Sequence, residues 1–459
     1  MSNIHTHVRR LCFALTAILP FAAHAGQITV ISSFSKEVMA IYKDAFEKKN
    51  PDIKVEMVNK NTNAALKHIR ETVVGQRPEV FWASSPGAFE LLSHEKLLEK
   101  LGADVGNPSV PTKIGAYPLN DPDGFYKGQA LSGYGMMWNT TYMREKQLPT
   151  PNEWSDLTKP IYLGHIAMSS PSRSGTTHLT VETILQGEGW DKGWSQLLQI
   201  AGNSAAITER SFDVPEGVSS GKYGVGLVID YLGLSSKYSG SPVEFIYPKV
   251  NAVVPANIGL IAGGKNIADA KKFVNFTLSK EGQELLFDPK ISRLPVLQES
   301  YIGGKLPRDF PNVFQVARRS TVQFDSTVSE MRYPLVLALF DQTITGPFKE
   351  LQLATKAIHE AKQKLAGSSN QKAMALLSEA RELAYSPVVD EATLNNKEFL
   401  EQFKQAKKEA SAANKVTPME EQWSAKAKAN YEKAAWNATQ AASTVKEGKP
   451  VRKPKSDPK

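Results

Sequence analysis

The chain has 459 residues, 41% of them hydrophobic and 9% aromatic, which is enough to bury two or three cores and is not the make-up of a disordered or fibrous protein. Its net charge of +8 falls to +6 without Arg9 and Arg10, a field that steers small anions but makes no case for nucleic acid. A single cysteine excludes a disulfide framework and a cysteine-ligated metal.

Arg9 and Arg10 precede an apolar run, Leu11–Ala23, that ends in the small-x-small site Ala23-His24-Ala25. Residues 1–25 therefore read as a secretory signal peptide, with the mature chain starting at Gly26. Cys12 lies ahead of the apolar core, whereas a lipid-attachment cysteine follows it. No later stretch reaches the roughly 18 apolar residues of a spanning helix. The expectation is an exported, periplasmic protein without a membrane span or a nucleic-acid partner.

Three strand–turn–helix units come first. Ile28–Ile31 leads into Ser32-Ser33-Phe34-Ser35 and then a helix with Val38, Ile41, Tyr42, Ala45 and Phe46 on one face, stopped by Asn50-Pro51. Val55–Val58 leads into Asn59–Asn63 and a helix carrying Ala65, Leu66, Ile69 and Val73. Val80–Ala83 leads into Ser84-Ser85-Pro86-Gly87, with Ser85 as N-cap and Pro86 at the first helical position. Such a series predicts a parallel α/β sheet, whose ligands sit beyond the carboxyl ends of its strands.

Residues 131–138 form a further strand. Ile166–Met168 then runs into Ser169–His178, a loop with hydroxyls at Ser172, Ser174, Thr176 and Thr177, a guanidinium at Arg173 and a glycine at Gly175, opening directly into a helix. A helix N-terminus offers free N–H groups and a positive dipole end. The loop is either an anion cradle for a phosphate or carboxylate, or a well-capped strand-to-helix turn. Val225–Asp230, Val243–Tyr247 and Val253–Ile261 read as strands, and 268–287 as one or two amphipathic helices.

From about residue 335 the pattern is helical throughout. Leu351, Ala354, Ile358, Ala361 and Leu365 form one apolar stripe, and Trp423, Ala427, Tyr431, Ala434 and Ala438 another. Ser386-Pro387 breaks a helix, and Thr417-Pro418-Met419-Glu420 is a capping box. The stripes are expected to pack on the main body or within a small bundle. The basic end (Lys446, Lys449, Arg452, Lys453, Lys455, Lys459) reads as a disordered tail over 446–459.

The stretch Pro149–Thr176 resembles the "P-T-x-W-x-D-L … P-x-Y-x-G-x-I" segment of extracellular solute-binding proteins of the ferric-iron and polyamine type, and 268–287 resembles their "A-x-x-F-x-x-F-x-L-S-x-E-G-Q" helix. Residues 56–66, 226–248 and 250–257 look nearest to the organophosphate binders of that family, receptors for phosphoglycerate and hexose phosphates. The resemblance implies a type II periplasmic binding protein fold: two α/β lobes, with hinge strands near Gly133–Trp138 and Val253–Ile258. Lobe one would hold 27–130 and a return from 256 to 330, and lobe two 139–250. An all-helical region over 331–445 would follow. The family hands ligand to an ABC permease, whereas the phosphoglycerate system works through a membrane sensor kinase. The long helical region departs from the permease-partner pattern, which ends near residue 330.

On that frame the expected ligand is a small phosphorylated metabolite: phosphoglycerate, phosphoenolpyruvate or a hexose phosphate. Its oxygens would be met by Ser172, Arg173, Ser174, Gly175, Thr176, Thr177 and His178 from one lobe, and by Ser33, Thr62, Ser84 and Ser85 from the other. Asp230 and Glu244 would accept from ligand hydroxyls, and Tyr231 would stack or donate. Other roles stay open: His178 as a packed histidine, Asp230 as the cap of its own turn, Tyr231 as a core aromatic.

The main alternative is ferric-iron binding. Iron-binding relatives use a tyrosine pair, and here Asp230-Tyr231-Leu232 offers one tyrosine. A polyamine ligand needs carboxylates and aromatics, while these loops carry hydroxyls and amides. Catalysis is not expected, since the chain has no G-x-S-x-G elbow and no H-E-x-x-H, and the five histidines after the leader are scattered. Nothing in the pattern calls for a cofactor or a resident metal.

Overall fold

The computed structural model describes residues 26–114, 117–303, 305–413 and 415–444. The expected signal peptide at 1–25 and the expected disordered tail at 446–459 lie outside the described residues. The strands Gly26–Ser32, Ile53–Asn59 and Val80–Ala83 run parallel, with the first between the other two. Ile28, Val30 and Ile31 are fully buried, as befits a parallel sheet covered by helices on both faces. Ser35 and Asn61 cap the helices that follow, accepting from the N–H groups of Val38 and Ala64. The first helix ends at Lys49, against Asn50-Pro51. The second ends at Glu71, so Val73 lies beyond the stripe assigned to it and is 60% exposed.

Two long strands join the halves of the sheet. Tyr126–Asn139 pairs antiparallel with Val253–Ile261 as far as Gly133, and from Tyr134 onward with Val225–Ile229. The strand thus changes partner between Gly133 and Tyr134. Two buried side chains hold that junction: Asp230 Oδ2 accepts from the Gly133 N–H at 2.7 Å, and Asn251 Oδ1 from the Tyr134 N–H at 2.9 Å. The second half continues through Val225–Ile229, Ile166–Ser169 and Ser204–Thr208, while Val243–Ile246 adds to the long strand. Gly135 is needed there, because a Cβ would collide with the Ile246 carbonyl. Ser204–Thr208 has no predicted counterpart: SAAIT holds a single large apolar residue, too little for a periodic signal.

The helical run begins with Ser326–Phe340 and continues through Phe348–Lys364, Gln371–Tyr385, Lys397–Ala412 and Pro418–Ser443. Gln371–Tyr385 ends at the Ser386-Pro387 break, and Thr417 and Glu420 form both halves of the capping box. Both predicted stripes are buried. They join Trp154, Trp190 and Trp194 of the second half in one continuous core, separate from the core of the first half around Phe34, Trp82 and Phe273. Trp190 Nε1 donates to the Val389 carbonyl at 2.8 Å, sealing the junction. Among the described residues no helix is long and apolar enough to cross a membrane.

Candidate functional site

The carboxyl ends of the parallel strands bring most of the predicted residues into one region. On the first half, the Ser32 hydroxyl accepts from the Phe34 N–H at 3.1 Å, and Asn59 Nδ2 donates to the Phe34 carbonyl at 2.6 Å. These bonds fix the turn that carries Ser33, which is half-buried. Thr62 opens its helix just after the Asn61 cap. Ser85 stands at the N-cap position ahead of Pro86, but its hydroxyl makes no cap bond, and Ser84 Oγ accepts from Arg293 Nη1 at 2.9 Å.

The hydroxyl-rich loop faces them from the second half. A Cβ on Gly175 would lie 3.8 Å from Thr62 Oγ1, so the N-termini of the helices that begin at 62 and 175 meet across the cleft. Ser174 caps its own helix, accepting from the Thr177 N–H at 3.3 Å, and lies 2.7 Å from the Thr176 hydroxyl. Ser170 is buried and bonds Ser172 at 2.8 Å. Arg173 turns to the outer edge of the sheet: its Nη1 lies 3.3 Å from the Thr208 carbonyl and 3.1 Å from Glu209.

The cation at the centre of this region is Arg293, which the sequence reading missed. It is fully buried, and its guanidinium carbon stands 3.8 Å from the ring of Phe34 and 3.8 Å from that of Tyr231. Its Nε has no hydrogen-bond partner. Burial pulls its pKa below the usual guanidinium value, while nearby Tyr231 and Asp230 push it up. The available signal was an arginine inside an apolar run, Ile291-Ser292-Arg293-Leu294-Pro295-Val296, preceded by Ser292 with φ 47°.

Asp230 is fully buried and already satisfied. Oδ2 accepts from Gly133 N–H and from the Tyr247 hydroxyl at 3.0 Å, and Oδ1 from the Tyr231 N–H at 2.7 Å. Burial raises its pKa to about 7, against the downward pull of those donors and of Arg293. In this arrangement it braces the strand crossover and its own turn rather than presenting a free acceptor. Tyr231 is half-buried, with its ring stacked on Arg293 and packed against the core of the second half.

Two expected residues stand elsewhere. His178 is buried against the Tyr333 ring, 4.4 Å between centroids, with Nε2 unpartnered and 3.9 Å from Glu182. Burial lowers its pKa to about 4, so it is neutral at neutral pH and is not the protonated donor anticipated. The reason is a helix 150 residues downstream, whose Arg332 pairs with Glu182 and whose Tyr333 covers the imidazole. Glu244 is held by Lys237 at 2.7 Å on a half-exposed flank. Among the described residues no group of three or more His, Cys, Asp or Glu is placed to hold a metal ion.

Residues 76–302 match the family described as bacterial extracellular solute-binding protein. The chain is 29% identical to the phosphoglycerate transport regulatory protein PgtC of Salmonella typhimurium over 383 residues, 83% of this chain and 90% of that one. The periplasmic binding protein AfuA from Actinobacillus pleuropneumoniae, solved with fructose-6-phosphate bound, superposes with a TM-score of 0.60 at 18% identity, covering 70% of this chain and 99% of its own. Iron-bound HitA from Pseudomonas aeruginosa gives 0.55 at 17% identity, covering 68% and 98%. At these identities the two solved structures speak for the fold alone.

Proposed function

We propose that this chain, whose residues 76–302 match the bacterial extracellular solute-binding protein family, is a periplasmic receptor for a small phosphorylated metabolite, acting without chemistry on it. The observation that carries this reading is Arg293. A buried guanidinium held between two aromatic rings, with Nε unpartnered and no carboxylate at salt-bridge distance among the described residues, lacks a counter-ion. Leaving a charge in that state is costly, and an anion in the cleft compensates it. The helix N-terminus at Gly175–Thr177, the hydroxyls of Ser172, Ser174 and Thr176, and Ser33, Thr62, Ser84 and Ser85 opposite supply donors for its remaining oxygens. Arg173 is the peripheral charge of this set, drawing anions toward the cleft.

The curated relative supports the same class of guest, and the solved neighbour shows that the fold can hold one. PgtC is described as a phosphoglycerate transport regulatory protein, and AfuA was solved with fructose-6-phosphate. An alignment of 383 residues cannot fit before position 330, so the likeness to PgtC runs into the helical region. The helical region is thus shared with a protein described as regulatory. That favours a membrane sensor kinase over an ABC permease as its partner.

Thermal melting against phosphoglycerate, phosphoenolpyruvate and fructose-6-phosphate tests the reading. One of them is expected to raise the transition by mass action, and Arg293→Met to cost at least about tenfold in affinity. No shift with any phosphate ester, or full affinity in Arg293→Met, overturns it. Ferric ion is expected to leave the protein colourless.

A further inference from the structure

A cavity of about 560 Å³ lies against the hinge strand Val253–Ile261, away from Arg293. Its wall carries three carboxylates, Glu90, Asp121 and Asp325, with the rings of Tyr117 and Tyr126, and no lysine, arginine or histidine. In a chain of net charge +8 that is a local reversal of sign. Acidic side chains alone are an ordinary solvated surface. What separates this cavity from one is Asn257, which also lines it: the side chain is 1% exposed, and neither its Oδ1 nor its Nδ2 has a hydrogen-bond partner. A buried amide with both ends unmet costs several kcal/mol relative to one that is paired. Asp121 uses one oxygen for the Phe125 N–H and Asp325 one for the Val328 N–H, which leaves the other oxygen of each to a guest.

The cavity is distinct from the cleft. Asn257 pairs across the sheet with Ala83, which packs with Phe81 and Phe89. The next pair, Ile258 and Trp82, packs with Phe34 on the opposite face, where Arg293 stacks. Opposite faces of one strand therefore serve the two places.

We propose that this cavity is a second binding site, for a small molecule bearing a primary ammonium group. Carboxylate oxygens accept its three N–H donors, the tyrosine rings face the charge, and the Asn257 amide supplies one acceptor and one donor to the rest of the molecule. The walls come from both halves: Glu90 and Asn257 belong to the first, while Asp325 is tied to the second by reciprocal bonds with Gln186 at 2.8 and 3.1 Å. Occupancy therefore favours one hinge angle.

Calorimetric titration of the mature chain tests this, with ethanolamine and 1,4-diaminobutane as probes and tetramethylammonium as a cation without donors. The primary amines are expected to bind at one site, at least about tenfold more tightly than tetramethylammonium, and Asp121→Asn with Asp325→Asn to weaken them by at least about tenfold. Asparagine keeps the Asp325 cap, and an unchanged melting transition certifies the variant's fold. If the pair fails to fold, Asp121→Asn alone decides. No binding of either amine at millimolar concentration, equal binding of tetramethylammonium, or amine affinity indifferent to the substitutions each overturns the proposal. None of these outcomes depends on whether the cleft takes a phosphate.

Discussion

Ser170, at the head of the hydroxyl-rich loop, donates to Asp341 at 2.6 Å. Asp341 begins the single turn of π-helix, Asp341–Thr345, that closes the helix Ser326–Phe340, and it also accepts from Thr345 at 3.1 Å. The loop that faces Thr62 is therefore held from behind by the helical region. That same helix reaches the first half at its other end, where Ser326 donates to Glu90 at 2.7 Å. One element touches both halves and the loop, so only a few bonds separate the loop from the helical region.

Asp341→Ala should free the loop without emptying a core. Losing a hydrogen bond to a charged partner costs about 1.5–3 kcal/mol. Only the part spent on ordering the loop reaches the ligand, so affinity for the phosphate ester is expected to fall roughly 3- to 10-fold. Calorimetry on the variant checks this. Unchanged affinity would mean that the loop keeps its shape unaided.

The Arg332–Glu182 pair sets up a sharper contrast. Glu182 is fully buried and Arg332 nearly so, with bonds of 2.9, 3.2 and 2.7 Å. Removing one partner of such a pair strands a buried charge and costs about 3–5 kcal/mol. Arg332→Met alone should therefore destabilise strongly in chemical denaturation, whereas Arg332→Met with Glu182→Leu should recover most of the loss. A double variant as weak as the single one would show that shape, not charge, holds the helix here.

Much of this fold is legible in the sequence because buried parallel strands read as apolar runs. Ile28–Ile31 and Val80–Ala83 lie where their composition places them, and the crossover near Gly133 lies where the family resemblance implies the hinge strands. The site is legible only where loop chemistry is local, as with Ser174 capping its own helix. Arg293 was hidden because its partners Phe34, Ser84 and Tyr231 are brought to it by the sheet from distant parts of the chain. Arg173 shows the converse: it stands in a suggestive loop, but the direction of its side chain depends on Thr208 and Glu209 at the neighbouring edge.

His178 gives a pH signature. Its folded pKa is lowered from 6.5 to about 4, so the unfolded chain takes up a proton that the folded one refuses. Stability from this group is complete above about pH 6.5, is lost as pH falls from there toward 4, and changes no further below. Asp230, raised to about 7, acts oppositely, losing stability as pH rises from about 4 to 7. The difference in unfolding free energy between the native chain and His178→Gln isolates the histidine. It should be flat above pH 7 and shrink between about 6.5 and 4. A difference independent of pH would contradict the burial argument.

Cutting the chain after Glu330 does not remove a separate appendage, because the second half and the helical region share one core. Trp190 and Trp194 belong to the second half and are buried with Leu351, Ile358 and Tyr431 of the helical region. Gly202 has a Cβ-free face because the Thr355 side chain occupies that space, so two helices from the two regions meet in close contact. Truncation exposes this apolar surface, far more than a monomer leaves open, and strands Glu182 without Arg332. The shortened chain is expected to bind a hydrophobic dye and to elute as aggregates in gel filtration. A monomeric fragment with a cooperative, undiminished melting transition would disprove the shared core. A signalling contact is better probed on the outer surface, at Trp436, which is 60% exposed on the last helix. Trp436→Ser should leave ligand affinity unchanged while lowering the response of the proposed sensor partner.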